Sequence, residues 1–130
     1  MADTIRVGIN GFGRIGRNLF RLLRNHPDIS VVAINDLMDI KTAAHLLKYD
    51  SIHGVLDQDV ILTEDEIQVG NSISRYSTEK NIEDIHWKGV DIVIESTGKF
   101  KTRSTLEKHL KNDVKKVILS APPIDDDIKT

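Results

Sequence analysis

The segment VGINGFGRIGRN, residues 7–18, contains the residues whose spacing points most directly to chemistry. Its glycines Gly11, Gly13 and Gly16 fit G-x-G-x-x-G, a pattern that binds a dinucleotide pyrophosphate when it joins a strand to a helix. Gly11 would allow the tight turn, Gly13 would let backbone N–H groups approach the anion, and Gly16 would let the helix pack close to the sheet. The alternative is an ordinary bend with solvated arginines, so the surrounding elements decide.

An acidic residue after the second predicted strand supports the dinucleotide interpretation. Asp36 lies twenty residues after Gly16, where a carboxylate would accept hydrogen bonds from the adenosine ribose hydroxyls. A 2′-phosphate there would place like charges roughly 4 Å apart, at about 4 kcal/mol per charge pair for an effective dielectric near 20. The sequence therefore predicts NAD rather than NADP. The alternative role for Asp36 is a turn or N-cap, for which Asp39 is the better candidate.

The elements that position these residues are predicted from hydrophobic periodicity. Apolar, β-branched runs indicate buried strands, and three- to four-residue spacing indicates helices between them. The predicted strands cover residues 4–10, 30–34, 90–95 and 114–119. Two predicted helices begin at residues 14 and 40, and a third covers residues 102–110.

Two details of the helices can be predicted from the same patterns. In the first helix, the apolar face is expected to comprise Ile15, Leu19, Leu22 and Leu23, with arginines between them. In the last helix, the pair Ser104 and Glu107 resembles a capping box.

Alternation of apolar strands with helices predicts an α/β fold, a doubly wound parallel sheet covered on both faces. Residues 54–76 differ, because short strands separated by turn residues there predict a small antiparallel insertion. Polar or small residues follow three of the parallel strands, and the carboxyl ends of such strands line the ligand crevice. These residues are Asn10 and Gly11, Asn35 and Asp36, and Ser96, Thr97 and Gly98.

The composition restricts the function classes. The 130 residues suit one domain, and a net charge of −2 predicts no nucleic-acid or membrane partner. The chain has no cysteine, which excludes disulfides, thiolate metal sites and a cysteine nucleophile within it. Its five histidines show no ligand-like spacing, so no metal site is predicted. With no signal-like segment at the start, a cytoplasmic location is expected.

Five motifs in order carry a resemblance to a known family: RVGINGFGRIGRN, VVAINDL, HLLKYDSIHG, VIESTGKF and KKVILSAP. Together they resemble the amino-terminal NAD-binding part of the phosphorylating glyceraldehyde-3-phosphate dehydrogenases. The resemblance covers essentially the whole chain and implies a Rossmann-type sheet. It also implies that residues 1–130 form one NAD-binding domain of a glycolytic oxidoreductase.

The resemblance implies the cofactor contacts residue by residue. Arg14 and Ile15 match backbone contacts to the pyrophosphate, Asp36 the adenosine ribose ligand, and Ser120 a position near the nicotinamide. Lys80 stands where many members carry an arginine, and a lysine keeps the charge but loses the fork geometry. The full expected set is Asn10, Gly11, Phe12, Gly13, Arg14, Ile15, Gly16, Asn35, Asp36, Lys80, Ser96, Thr97, Gly98 and Ser120.

The family's catalytic cysteine has no counterpart in this chain. In the family, that thiolate attacks glyceraldehyde 3-phosphate, hydride passes to NAD, and phosphate releases the acyl group. We therefore expect an amino-terminal fragment that binds NAD without catalysing the reaction, from a full-length protein that forms homotetramers. Two alternatives stay open: a non-catalytic dinucleotide-binding or interaction module, and a fragment of an erythrose-4-phosphate dehydrogenase.

Overall fold

The computed structural model describes residues 4–50 and 54–120, and their strands form one large and one small sheet. The large sheet has seven strands in the order β5-β6-β7-β2-β1-β8-β9, and the small one pairs β3 with β4. In chain order the strands are β1 (Ile5–Asn10), β2 (Ile29–Asn35), β3 (Tyr49–Asp50), β4 (Gly54–Val55), β5 (Val60–Leu62), β6 (Glu66–Val69), β7 (Ser72–Ser77), β8 (Ile92–Glu95) and β9 (Lys116–Leu119).

The centre of the large sheet is parallel, as predicted. Strand β1 pairs in parallel with β2 on one side and β8 on the other, and β8 pairs in parallel with β9. The predicted antiparallel segment is confirmed in β5, β6 and β7. It is no separate insertion, however, because β7 also pairs in parallel with β2. Ser74 strengthens this junction, since its buried hydroxyl donates to the Val31 carbonyl at 2.6 Å.

Three helices lie among the described residues: α1 (Arg14–Leu23), α2 (Ile40–Lys48) and α3 (Arg103–Leu106). The predicted apolar face of α1 is partly wrong. Ile15 and Leu22 are 51% and 67% exposed, whereas Phe20 and Gly16 are buried against the sheet. The tight turn before α1 brings Gly16 onto the end of β1, and Phe20 lies one turn further along the same face. The turn, rather than the apolar periodicity, sets the rotation of the helix.

The capping box predicted in the last helix is also wrong. Thr102 is the N-cap of α3, and its hydroxyl accepts from the Thr105 N–H at 3.4 Å. Glu107 instead pairs with Arg103 at 3.0 Å. After one turn the chain tightens into the 3-10 segment Glu107–His109, which carries His109 into the interior with no exposed surface. Thr102, two residues before Ser104, takes the cap position because it immediately precedes the first helical residue.

Buried side chains cover both faces of the large sheet, as predicted. One cluster includes Val7, Ile9 and Phe20, and the other includes Trp87 and its neighbours. Gly8 lies between Val7 and Ile9 and therefore faces the Trp87 side. A Cβ at Gly8 would lie 2.7 Å from the indole, so the absence of a side chain at Gly8 lets this ring pack closely on β1. Among the described residues, no helix has the length and apolarity to cross a membrane.

Candidate dinucleotide-binding site

A crevice of about 410 Å³ opens at the carboxyl ends of β1, β2 and β8. This is the end at which doubly wound sheets bind ligands. A larger groove of about 770 Å³ lies at the opposite end of the sheet, beside the Arg6–Asp91 ion pair, and has no such precedent in this architecture. The crevice is lined by Asn10, Gly11, Gly13, Asn35, Asp36, Leu37, Glu79, Lys80, Asn81, Ser96, Thr97, Lys99 and Phe100.

The three glycines of the opening motif occupy three different environments. Gly11 has a φ of 99°, a conformation that disfavours any side chain, and a Cβ there would lie 2.6 Å from the Thr97 nitrogen. A Cβ at Gly16 would lie 2.1 Å from the Gly11 carbonyl oxygen. At Gly13 a Cβ would have no atom within 4 Å. The predicted turn at Gly11 and close packing at Gly16 are therefore confirmed, and the space over Gly13 is open for a ligand.

Helix α1 presents its N-terminus beside that open space. Gly13 is the N-cap, makes no side-chain capping bond, and the first turn contains no acidic residue. The first-turn N–H groups and the positive end of the dipole therefore favour an anion. Arg17 is not merely solvated, because it donates to the Phe12 carbonyl at 2.9 Å and braces the turn. The exposed side chains of Arg14 and Ile15 are outside the crevice lining.

Asp36 joins the glycine turn to the loop after β2. Its Oδ2 accepts from the Phe12 N–H at 2.5 Å, and its Oδ1 accepts from the Met38 N–H at 3.0 Å. Asp36 also lines the crevice, whereas Asp39 is the N-cap of α2. The turn role and the ligand role are therefore compatible, because a carboxylate has about four acceptor sites.

A buried tyrosine supports the same loop from below. The Tyr76 hydroxyl donates to the Met38 carbonyl at 2.7 Å. Burial, and after it the charges of Asp36 and Asp39, raise the pKa of this phenol well above its usual range. Tyr76 therefore stays a neutral donor and keeps the loop that carries Asp36 in place.

Two buried amides connect the strand ends across the floor of the crevice. Asn35 Nδ2 donates to Asn10 Oδ1 at 2.9 Å, and Asn10 Nδ2 donates to Glu95 Oε1 at 2.7 Å. On the other side, Asn35 Oδ1 accepts from the Glu79 N–H at 2.9 Å and from the Ser77 hydroxyl at 2.7 Å. This chain of bonds holds the segment before Lys80 against the sheet.

The sequence prediction did not single out Glu95 or His109 as functional, and both are fully buried beneath the crevice. Glu95 carried a signal, because it is a charged residue at the last position of an apolar strand, like Asn10 and Asn35. His109 carried none. Its partner lies on another element, and spacing along the chain does not reveal such a contact.

The structure brings eight of the fourteen predicted residues to the crevice. The other six lie outside its lining, and Phe12 and Ser120 show why. The Phe12 ring packs edge-on against Phe20 in the core, so this residue offers its backbone only. Ser120 instead donates through its hydroxyl to the Glu95 carbonyl at 3.0 Å. The eight lining residues are Asn10, Gly11, Gly13, Asn35, Asp36, Lys80, Ser96 and Thr97, and the six others are Phe12, Arg14, Ile15, Gly16, Gly98 and Ser120.

Within residues 4–50 and 54–120, no group of three or more histidine, aspartate or glutamate side chains is arranged to hold a metal ion. The crevice instead offers backbone N–H groups, amides, hydroxyls, the half-buried carboxylate of Asp36, the exposed carboxylate of Glu79, and the lysines Lys80 and Lys99. These groups suit a polar anionic ligand with hydroxyls. The acidic run at residues 125–127, predicted to be a solvated turn, lies outside the described residues.

Comparison with known proteins identifies related sequences. The family model described as "Glyceraldehyde 3-phosphate dehydrogenase, NAD binding domain" matches residues 5–103. Glyceraldehyde-3-phosphate dehydrogenase of Streptomyces coelicolor is 56% identical over 128 residues, which are 96% of this chain and 38% of the relative. The enzymes of Geobacillus stearothermophilus and Thermotoga maritima are 52% and 50% identical over 127 residues each, 96% and 95% of this chain. The chain spans 38% of the length of both relatives.

Proposed function

The chain belongs to the glyceraldehyde-3-phosphate dehydrogenase family through its NAD-binding domain, and from that premise we propose that its crevice forms the cofactor site of an NAD-dependent aldehyde oxidation. One observation carries the proposal: Asp36 and the open space over Gly13 line the same crevice. A dinucleotide needs both an acceptor for its ribose and an anion site for its pyrophosphate.

The residues of this chain would bind and orient the cofactor. The first-turn N–H groups of α1 would donate to the pyrophosphate, and Asp36 would accept from the adenosine ribose hydroxyls. Lys80, which also lines the crevice, would add a positive charge to the anion site. Ser96 fixes the turn itself, because its hydroxyl donates to the Gly11 carbonyl at 2.7 Å. When bound, NAD supplies the hydride acceptor.

We extend the proposal to the whole protein of which such a domain is part. Its substrates would be glyceraldehyde 3-phosphate and inorganic phosphate, its product 1,3-bisphosphoglycerate, and its assembly a homotetramer. The similarity to the relatives named above supports this. The nucleophile would come from outside residues 1–130, which contain no cysteine and which we propose as a single NAD-binding domain. The cytoplasmic location stays a prediction.

Calorimetric titration of the chain with NAD and with NADP tests the cofactor assignment. We expect NAD to bind more tightly, because a 2′-phosphate would meet the Asp36 carboxylate. Asp36→Asn should reduce the preference for NAD, since it removes the repulsion. Because asparagine can replace only one of the two acceptor oxygens that bind the Phe12 and Met38 N–H groups, the readout is the ratio of the NAD and NADP affinities rather than either affinity alone.

The matched control is Asp39→Asn, which removes the same charge three residues away. Asp39 lies outside the crevice lining and is an N-cap, a position where asparagine serves equally well. The control should leave the preference unchanged. Tighter binding of NADP than of NAD by the unmodified chain, or no binding of NAD, would refute the assignment.

A further inference from the structure

Glu95 is a fully buried carboxylate on which several hydrogen-bond chains converge. Its Oε1 is 2.7 Å from Asn10 Nδ2 and 2.8 Å from His109 Nε2. Its Oε2 accepts from the Thr97 N–H at 3.0 Å and from the Thr97 hydroxyl at 2.6 Å. Four contacts therefore occupy the roughly four acceptor sites that an ionised carboxylate offers.

His109 donates to Glu95 through Nε2, and its contact with Trp87 determines this direction. The indole N–H of Trp87 can only donate, and it points at His109 Nδ1 at 3.1 Å. His109 Nδ1 must therefore accept, which leaves the proton of the neutral ring on Nε2, facing Glu95. His109 and Glu95 are thus a neutral donor and a carboxylate, rather than two charges of opposite sign.

Asn10 donates to Glu95 through Nδ2, and a longer series of hydrogen bonds determines this direction. It begins at the Glu79 N–H, which can only donate and which bonds to Asn35 Oδ1. The amide of Asn35 is therefore oriented with its nitrogen toward Asn10 Oδ1, and the amide of Asn10 with its nitrogen toward Glu95. The Thr97 hydroxyl donates to Glu95 Oε2 and also accepts from the Lys99 N–H at 3.1 Å, so it connects Glu95 to the following loop.

We propose that Glu95 is a positioning residue for the NAD site, because its buried carboxylate accepts every donor at which these hydrogen-bond chains end. Asn10, Asn35, Glu79, Thr97 and Lys99 all line the crevice, whereas Glu95 lies beneath it. One carboxylate thus ties the ends of β1, β2 and β8 and the segment before Lys80 into a single arrangement. This inference rests on the proposed function only for the identity of the ligand, NAD.

The proposal explains why a glutamine would not replace Glu95. A glutamine side chain has the same shape but presents an NH₂ group on one side. That group would face either the donors of Asn10 and His109 or the N–H of Thr97. Reversing the Asn10 amide would only move the mismatch to Asn35. A donor would thus be left facing a donor within the buried network, and the crevice loops would shift to relieve it.

The test compares Glu95→Gln with Glu107→Gln in the full chain, by NAD titration well below the melting temperature and by ¹H–¹⁵N NMR. Glu107 is a matched control, because it loses the same charge from an exposed pair with Arg103. Glu95→Gln should bind NAD about tenfold more weakly and shift the backbone resonances of Thr97 and Lys80. Glu107→Gln should change neither. Unchanged affinity and resonances in folded Glu95→Gln would overturn the proposal.

A second pair of variants covers the case in which Glu95→Gln does not fold. His109→Gln keeps one donor for Glu95 and one acceptor for Trp87, whereas His109→Leu keeps neither. We expect His109→Gln to bind NAD within about threefold of the unmodified chain and His109→Leu about tenfold more weakly. Equal binding by the two variants would overturn the proposal.

The unmodified chain also gives a spectroscopic signature. Long-range ¹H–¹⁵N spectra should show His109 as the Nε2–H tautomer, and a protonated Nδ1 would contradict the proposed direction of the bonds. If the unmodified chain failed to bind NAD, the proposed function would be refuted. The resonance shifts of Thr97 and Lys80 in Glu95→Gln, or the tautomer in the unmodified chain, would still decide the inference.

Discussion

Replacing Gly13 by alanine should separate cofactor binding from folding. The backbone at Gly13 has φ −74° and ψ −159°, which any residue adopts, and a Cβ would meet no atom within 4 Å. Alanine reduces the backbone conformational entropy of the unfolded chain, which would stabilise the folded variant by about 0.4–1 kcal/mol. Losing glycine at an N-cap would cost a similar amount. We therefore expect a free energy of unfolding within about 1 kcal/mol of the unmodified chain.

The same methyl group should weaken NAD binding strongly. Backbone N–H groups hold a phosphate oxygen at about 2.9 Å from nitrogen, whereas a methyl carbon keeps other atoms about 3.5 Å away. The anion would be displaced from the N-terminus of α1. Loss of one charge-assisted hydrogen bond costs about 1.5–3 kcal/mol, so affinity should fall about 10- to 100-fold.

Gly16→Ala is the contrasting variant, because the added Cβ would lie 2.1 Å from the Gly11 carbonyl oxygen. Either α1 or the glycine turn would have to move by about 1 Å to reach an ordinary contact distance. Overpacking of this kind costs about 1–3 kcal/mol or more. Gly16→Ala should therefore lose stability as well as NAD binding.

Circular dichroism melts and calorimetric titration with NAD distinguish the two glycine variants. Gly13→Ala should melt within a few degrees of the unmodified chain and bind NAD poorly. Unchanged NAD affinity in Gly13→Ala would show that no ligand group occupies the space above this residue. Unchanged stability in Gly16→Ala would refute the close packing of α1 on the turn.

Two further predictions concern the elements that support the site. Gly8→Ala should destabilise the chain by about 1–3 kcal/mol, because its Cβ would lie 2.7 Å from the Trp87 ring; tryptophan fluorescence during urea unfolding measures this, and an unchanged midpoint would contradict it. Because the pKa of Tyr76 is raised in the folded chain, unfolding should become easier as pH rises above about 10, where the unfolded tyrosine ionises. Tyr76→Phe should flatten that alkaline decline in the free energy of unfolding, and an equally steep decline in this variant would contradict the assignment.

The sheet and the crevice were predictable because their signals are local. An apolar run followed by a polar residue marks both a strand and its carboxyl end, and three such ends locate the crevice. The antiparallel strands were equally visible. Their attachment to β2 was not, because the pairing of Arg75 with Ala33 depends on the whole sheet.

The rotation of α1 shows why the remaining details were harder. Periodicity ranks Ile15 and Leu22 with the apolar residues, but the contact between Gly16 and Gly11 turns both toward solvent. Any side chain in place of Gly16 would bring a Cβ to 2.1 Å from the Gly11 oxygen, and this constraint outweighs the burial of one or two apolar side chains, each worth about 1.5–3 kcal/mol. The pattern of apolar residues therefore predicts that a helix forms, while its glycines decide which side faces the sheet.

The two carboxylates at the strand ends differ in ways that the sequence does not show. Asp36 and Glu95 both terminate or follow apolar strands, and the spacing from Gly16 singles out Asp36 without revealing how either carboxylate is buried or bonded. Glu95 is fully buried, and four donors saturate its acceptor sites. Asp36 is half-buried, lines the crevice and accepts two backbone N–H bonds in the described part of the chain, out of the roughly four that a carboxylate can accept. A ribose presents two vicinal hydroxyls, which is why we propose that the unsaturated carboxylate binds it and that the saturated one positions the loops around it.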